Sequence, residues 1–224
     1  MNSSGPLSIK QKLLLLLIPA VISAAVVFWL WRQHPELNYW RDLLLQIRDW
    51  LEANPGALVL CLVILPGLGF PISILLVLAG IVFVPEYGLL VACLIAIAAQ
   101  SLCSLWAYYL SAGPLRSWLI KYLLKDRPLP QPNARDALRL GFIFRITPGI
   151  PYALQNIVLG VIGLDLKTYL LVSLPIQSIY TIGFVVTSGS LFQGKSGLAI
   201  AGAVFLIVIV LVTRMIRQRK KAIL

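Results

Sequence analysis

The chain has 224 residues, of which 59% are hydrophobic and 12% are charged, and its formal net charge is +11 at pH 7. This composition is too apolar for a single soluble core and is typical of an all-α polytopic membrane protein. The basic residues lie in short stretches between and beyond the apolar segments. We therefore interpret the positive charge as a mark of the cytoplasmic side and of contact with anionic lipid, and not as a nucleic-acid site.

The residues that usually carry catalysis form no arrangement typical of an enzyme. The sequence has one histidine and three cysteines, and Cys61, Cys93 and Cys103 all lie in apolar runs without the spacing of metal ligands. It contains no Walker-type loop, dinucleotide fingerprint or plausible Ser-His-Asp set. We therefore expect no enzymatic activity, no metal site and no cofactor.

Two helical segments are predicted before the first broken region. Residues 13–31 form an apolar stretch long enough to cross a bilayer, and we interpret it as a retained span rather than a cleaved signal peptide. From Leu37 to Ala53, apolar residues recur at helical spacing, which predicts an amphipathic helix ending at Asn54-Pro55-Gly56. This helix either lies in the membrane interface or packs against the bundle.

Residues 57–83 are apolar but carry helix breakers, so one straight helix is not expected there. The residues that we expect to shape two half-helices are Pro66, Gly67, Pro71 and Gly80. A short connection with Glu86 follows, and residues 88–110 predict a full span. Its last aromatic residues, Trp106, Tyr108 and Tyr109, are expected to anchor it at the interface.

The second broken region, residues 142–163, combines helix breakers with polar side chains. These residues are Arg145, Pro148, Gly149, Pro151, Gln155, Asn156 and Gly160. A bilayer tolerates broken backbone and charge only where protein or a water-filled cavity covers them, so this region predicts a pocket. A short connection with Asp165 follows, then spans at 166–187 and 198–212 and a basic tail.

Charge and the number of crossings together predict the topology. If both broken regions crossed the membrane fully, the basic loop 111–140 would lie on the side opposite to both termini. If each region dips in and returns, both termini and the loop are cytoplasmic, as the positive-inside rule requires. We therefore predict two opposed re-entrant helical hairpins, about four full spans and an interfacial helix.

The two broken regions also resemble each other. Gly80 follows Pro71 by nine positions, and Gly160 follows Pro151 by the same nine positions. Such paired regions indicate an inverted repeat whose binding site lies near the bilayer midplane. The chain then divides into residues 1–56, a core at 57–190 and a last span with its basic tail at 191–224.

Arg145 carries most of the functional prediction. Its planar fork suits a phosphate, and half-helix N-termini would add backbone donors for an anion. Alternatively, Arg145 snorkels to the interface or pairs with Asp165 or Glu86 to close the fold. The candidate substrate-binding residues are Arg145, Gln155, Asn156, Glu86 and Asp165.

The two broken regions resemble the signatures of a known family. Arg145-Ile146-Thr147-Pro148-Gly149-Ile150-Pro151-Tyr152, followed by Gln155-Asn156 and Gly160, resembles the second-half signature of the DedA superfamily, also called VTT-domain or SNARE-associated Golgi proteins. Pro71-Ile72-Ser73 through Ala79-Gly80-Ile81-Val82-Phe83 is similar to the first-half signature. The resemblance implies an integral membrane protein with two facing hairpins that moves lipids between leaflets. A glutamate that many bacterial relatives carry near Ser73 is missing here, and only Arg116 remains of a Gly-Arg-x-x-Gly-Arg pattern.

The expected function is a lipid translocator or scramblase that moves phospholipid or a polyprenyl-phosphate lipid and holds the headgroup near Arg145. Two alternatives stay open: a non-transporting membrane scaffold for assembly or trafficking, and a proton- or cation-coupled transporter of a small solute. A bacterial inner membrane with both termini cytoplasmic is the expected location, although an organellar membrane also fits. Whether the chain forms a homo-oligomer is left open.

Overall fold

The computed structural model describes residues 25, 28–121, 134–147 and 150–221, and every element within those ranges is helical. Most of the predicted first span, together with Pro148, Gly149 and residues 122–133 of the basic loop, lies outside the described residues. The elements that position the site run from residue 37 to the end of the described chain.

Helix α1 (Leu37–Ala53) has the bounds that the amphipathic pattern predicts. Leu51 is its one buried residue, whereas Leu44 and Trp50 are each 59% exposed. This uncovered apolar face favours the membrane interface over packing against the bundle. Near its end, the Arg48 guanidinium lies 4.7 Å from the centre of the Phe192 ring.

The first broken region is interrupted where the prolines and glycines predict. Helix α2 (Pro55–Ile64) leads into a 3-10 turn (Leu65–Leu68), and α3 (Ile72–Ala112) begins directly after Pro71. The Trp106 indole covers this break, because its Nε1 donates a 2.6 Å hydrogen bond to the Val63 carbonyl. A Cβ on Gly67 would lie 2.2 Å from the same indole, so only glycine allows this contact.

Helix α3 bends at Gly88, whose φ of 76° is readily adopted only by glycine. The connection predicted around Glu86 lies two residues too early, since Glu86 is still helical and the break falls at Gly88, where the predicted span 88–110 begins. The prediction of interfacial anchors also fails for Tyr108, which is buried and donates a 2.7 Å hydrogen bond to the Leu164 carbonyl. Tyr109 remains 56% exposed.

The second broken region begins earlier than predicted. After a short helix α4 (Arg116–Leu119), helix α5 (Ala134–Ile146) starts inside the segment that the sequence assigned to the basic loop. Its first turns are held by packing, because Ala137 joins a buried cluster with Tyr108, Leu159, Leu164 and Tyr169. Helix α6 (Tyr152–Ile162) then begins directly after Pro151.

Helices α7 (Leu166–Phe192) and α8 (Ser196–Lys221) complete the described chain. Within the described ranges, α3 and α7 are each long and apolar enough to cross a membrane, and a third span results if α1 and α2, bent by 100°, are taken together with the 3-10 turn as one. This number is smaller than the four predicted spans. The apolar part of α8 is shorter, and the predicted first span lies mostly outside the described residues.

Helices α3 and α7 pack against each other at the centre, with α2 and α6 against α3 and with α5 and α8 against α7. Two hairpin-shaping glycines permit close approach there. A Cβ on Gly80 would lie 2.0 Å from the Ser188 hydroxyl on α7, and a Cβ on Gly160 would lie 2.0 Å from the Ser111 hydroxyl on α3. The helix that follows each break therefore contacts the long central helix of the other half.

Candidate functional site

Arg145 lies in the last turn of α5 and is only 4% exposed. Its Nε donates to the Ser173 hydroxyl at 3.0 Å, its Nη1 donates to Oε1 of Gln155 at 3.3 Å, and its Nη2 donates to Oδ1 of Asn156 at 2.6 Å. The guanidinium carbon is 5.3 Å from the centre of the Tyr169 ring. The structure thus brings together Arg145, Gln155 and Asn156, three of the five predicted substrate-binding residues.

Every hydrogen-bond partner of Arg145 in the described part of the chain is neutral. The one ion pair recorded there joins Arg48 and Glu52 at 2.7 Å. The structure therefore supports neither alternative for Arg145, since this side chain is buried rather than snorkelling and has no described carboxylate beside it. A buried cation without a counter-ion is unfavourable, and the contacts that offset this cost in the described chain are the three hydrogen bonds and the Tyr169 ring.

Asp165 and Glu86 are not brought to this site. Asp165 is exposed and caps the start of α7, where its carboxylate accepts a 2.9 Å hydrogen bond from the Thr168 backbone N–H. That hydrogen bond holds the pKa of Asp165 below its ordinary value of 3.8. Glu86 is also exposed.

A cavity of about 220 Å³ lies against Arg145. Both broken regions and both central helices contribute to its wall, and the starts of α3 and α6 face it with Ile72 and Tyr152. The full lining is Ile72, Leu76, Gln100, Arg145, Ile146, Thr147, Ile150, Tyr152, Gln155, Ile176, Gln177, Tyr180 and Phe184. The lining combines polar side chains with apolar ones such as Ile72, Leu76 and Phe184.

Two hydrogen bonds between α3 and α7 lie at this cavity and mirror each other. On α3, the Ser104 hydroxyl donates to Oε1 of Gln177 at 3.0 Å. On α7, the Thr181 hydroxyl donates to Oε1 of Gln100. In each helix the hydroxyl residue follows the glutamine by four positions, so each helix supplies one donor and one acceptor to the other.

Two tyrosines extend this polar network. The Tyr152 hydroxyl lies 2.7 Å from the Ser104 hydroxyl and 3.1 Å from the Gln100 carbonyl. The Tyr169 hydroxyl lies 2.9 Å from Oδ1 of Asn156 and 3.0 Å from the Ser104 carbonyl. Hydrogen bonds among buried side chains fix their orientation, so the Arg145 site is held by α3, α6 and α7 together.

The sequence-based prediction missed several members of the site, although their spacing carries a signal. These members are Ser104, Tyr169, Ser173 and Thr181. On α7, polar residues recur every four positions at Tyr169, Ser173, Gln177 and Thr181, and on α3 the same spacing joins Gln100 and Ser104. Side chains at that spacing share one helix face, so two apolar spans with such stripes predict a buried polar contact between them.

The chain matches one known domain. Comparison with protein-family models matches residues 70–191, more than half of the chain, to the VTT domain. The matched range extends from the first break to the end of α7, and it therefore includes Arg145 and the cavity. Comparisons with curated proteins and with solved structures give no match.

Proposed function

We propose that this protein, which belongs to the VTT-domain family of DedA and SNARE-associated Golgi proteins, moves lipids with phosphate headgroups between the two leaflets of its membrane. The chain is an integral membrane protein, as the family and its apolar helices indicate. The observation that carries the proposal is a buried guanidinium that has only neutral described partners and that faces a cavity.

The contacts of the second broken region support a re-entrant hairpin. The Arg116 Nε, just beyond the end of α3, donates to the Val161 carbonyl at the end of α6 at 3.2 Å, and the Tyr108 hydroxyl donates to the Leu164 carbonyl. The end of α3 and the end of α6 therefore lie at the same level. A segment that crossed the membrane fully between them would separate these groups by the thickness of the bilayer.

The contacts of the first broken region support a hairpin from the opposite face. Arg48, just before α2, lies over Phe192 at the end of α7. Val84, after the break, lies against Gly189 in the last turn of the same helix, where an added Cβ would meet it at 2.6 Å. Residues that flank this region on both sides thus lie near the end of α7, whereas the second hairpin returns near its start.

The chemistry of Arg145 fits a phosphate. A guanidinium has five N–H groups in a planar fork, and three of them donate to the described side chains of Ser173, Gln155 and Asn156. In the proposal, the remaining two bind phosphate oxygens in the cavity, with support from the N-terminal ends of two helices. The acyl chains stay in the surrounding lipid while the headgroup passes between the hairpins.

Reconstitution into liposomes that contain fluorescent phospholipid tests the proposal. Wild-type protein is expected to accelerate exchange of the label between leaflets, and Arg145→Gln is expected to slow this exchange by about tenfold or more, because charge-assisted hydrogen bonds to the phosphate are lost. Arg48→Gln is the matched control, since it removes the same charge from α1, away from the cavity.

An Arg145→Gln variant that exchanges lipid at the wild-type rate would contradict the headgroup role of Arg145. Wild-type protein that leaves the exchange rate of empty liposomes unchanged would contradict lipid movement itself. Among the described residues, the cavity lining contains no carboxylate or histidine, so the proposal includes no coupling to protons.

A further inference from the structure

We propose that Gln177 is a second ligand of the anion, with its amide nitrogen donating to the oxyanion that Arg145 binds, and that Gln100 supports it from the other half of the chain. This inference rests on the proposed function, in that it concerns the same cavity and the same phosphate. It adds a binding role to two glutamines.

Gln177 lines the cavity and has a side-chain donor without a partner. Its side chain is only 7% exposed and forms part of the cavity lining. Its Nε2 is buried and has no hydrogen-bond partner in the described part of the chain. Buried polar groups are nearly always satisfied, so this N–H group, in a residue that lines the cavity, is assigned to a ligand there. Nδ2 of Asn156 and Oγ of Ser190 also have no partner in the described part of the chain, but neither residue lines the cavity.

The orientation of this amide is fixed by its other end. Oε1 of Gln177 accepts from the Ser104 hydroxyl at 3.0 Å, and the Tyr152 hydroxyl lies 2.7 Å from that same hydroxyl. With its carbonyl end engaged, Gln177 offers only its amino end. Oε1 of Gln100 is likewise engaged, because it accepts from Thr181, and Gln100 also lines the cavity.

Gln155 lines the same cavity but has no free donor of this kind. Its Oε1 accepts from Arg145, and its Nε2 donates to the Ile150 carbonyl at 3.2 Å. Asn156 is fully buried and is not part of the cavity lining. Both residues are therefore positioning residues for Arg145, whereas Gln177 contacts the ligand.

The donors together define the class of ligand. Arg145 and Gln177 contribute N–H groups, and no carboxylate lines the cavity among the described residues, so a tetrahedral oxyanion fits better than an ammonium group. The apolar lining residues Ile72, Leu76 and Phe184 suit the hydrocarbon part of a phosphate ester. A lipid phosphate and free inorganic phosphate share the chemistry that the donors recognise.

Two substitutions at Gln177 separate binding from folding. Gln177→Glu keeps an oxygen for the Ser104 hydroxyl and replaces only the donor end with a negatively charged oxygen. Gln177→Met keeps the length of the side chain without charge. The matched control is Gln46→Glu on the exposed surface of α1. A variant enters the comparison when it is monodisperse in detergent and has the wild-type Tm without ligand.

Binding is measured by calorimetry on the full-length protein in detergent, with inorganic phosphate and with short-chain phosphatidic acid as probes. We expect both Gln177 variants to weaken binding by about tenfold or more, as loss of a hydrogen bond to a charged group predicts, and Gln46→Glu to leave it unchanged. Tighter binding of phosphatidic acid identifies a lipid headgroup as the ligand, whereas equal or tighter binding of inorganic phosphate identifies the free anion.

Wild-type affinity in both Gln177 variants, or no binding of either probe by the wild type, overturns the inference. The same variants in the liposome assay separate it from the proposed function. If the wild type moves lipid and both Gln177 variants move it equally fast, the inference fails and the proposed function stands. If the wild type binds phosphate through Gln177 but moves no lipid, the proposed function fails and the anion site stands.

Discussion

Tyr169 is fully buried directly beside the Arg145 guanidinium and links three helices. Its ring faces the cation, and its hydroxyl lies within hydrogen-bond distance of Asn156 on α6 and of the Ser104 carbonyl on α3. The ring therefore supplies a cation–π contact, while the hydroxyl fixes the side chain of Asn156, which in turn accepts from Arg145.

Tyr169→Phe separates these two contributions. The ring stays beneath the guanidinium, but Asn156 and Ser104 lose a donor, so we expect the free energy of unfolding to fall by about 1 kcal/mol. Denaturation of the purified protein in detergent micelles measures this change. Tyr109→Phe is the control, since Tyr109 is exposed on the same bundle. Equal stability of the two variants would contradict a structural role for the buried hydroxyl.

At the scale of single residues, the sequence predicts Arg145 with Gln155 and Asn156. It does not predict Ser173 and Tyr169, which also contact Arg145. Arg145 stands out because a charge beside prolines in an apolar run has few explanations, and Gln155 and Asn156 follow it closely. The sequence does not predict that the amide nitrogen of Gln155 has a backbone partner while that of Gln177 has none in the described chain. This difference depends on the Ile150 carbonyl, which the break in the backbone leaves free for Gln155, and no pattern of residue types reveals that contact.

Helix packing in this chain depends on glycines that lie where two helices touch. The contact of Gly80 with α7 involves backbone atoms, since an added Cβ would lie 2.6 Å from the Val185 carbonyl and 2.9 Å from the Gly189 nitrogen. Backbone cannot move aside as a side chain can. The helices would have to separate, and the cavity between them would change shape.

Gly80→Ala is therefore expected to lower the free energy of unfolding by about 1–3 kcal/mol, the usual cost of overpacking. Gly56→Ala provides the control, because Gly56 is helical and has no atom within 4 Å of an added Cβ. That variant is expected to keep or gain up to about 1 kcal/mol of stability. Thermal unfolding of both variants measures the difference, and a Gly80→Ala protein as stable as Gly56→Ala would show that α3 and α7 are not in tight contact.

Element bounds were predictable where a stop signal coincides with the end of a periodic pattern. This holds for α1, which ends before Asn54-Pro55-Gly56 as predicted. It fails for α5, whose first turns lie in a polar, basic segment and are held by burial of Ala137 against the start of α7. The predicted connection around Glu86 also lies two residues too early. Pro85 and Glu86 are the more conspicuous signals for the end of a helix, but Gly88 is the residue with the positive φ.

The inverted repeat stays a prediction, and the two broken regions that it relates differ in charge. If Pro71 is aligned with Pro151, Arg145 aligns with Leu65 and Tyr152 aligns with Ile72. The hydrogen bonds of Gln100 and Gln177 join α3 to α7. Of the two broken regions, the second carries the cation, Arg145. In such a repeat, Arg145 would have an apolar counterpart in the first broken region.

Labelling of single cysteines tests the proposed topology. In a background without the three native cysteines, we expect Glu86→Cys to react with a membrane-impermeant maleimide from outside the cell and Lys121→Cys to be protected until the cytoplasmic side is exposed. This follows because each hairpin returns to its own side. Two full crossings in place of the hairpins predict the reverse pattern for both positions.

Two further positions serve as controls, since both topologies assign them to the same side. Gln193→Cys is expected to react from outside, and Asp165→Cys is expected to react only from the cytoplasmic side. Protection of Glu86→Cys together with free reaction of Lys121→Cys would contradict the hairpins. The contact of the basic loop and tail with anionic lipid stays a prediction.

The indole that covers the first break gives the protein an internal optical reporter. Trp106 lies against Gly67 in the 3-10 turn of the first broken region and donates to the Val63 carbonyl. If that turn moves away from α3, this hydrogen bond breaks and the polarity around the indole ring changes. In a chain that keeps Trp106 and carries phenylalanine at the other tryptophan positions, the emission wavelength would follow the movement of the turn in real time. Movement of this region during the proposed lipid exchange would then be visible without any attached dye.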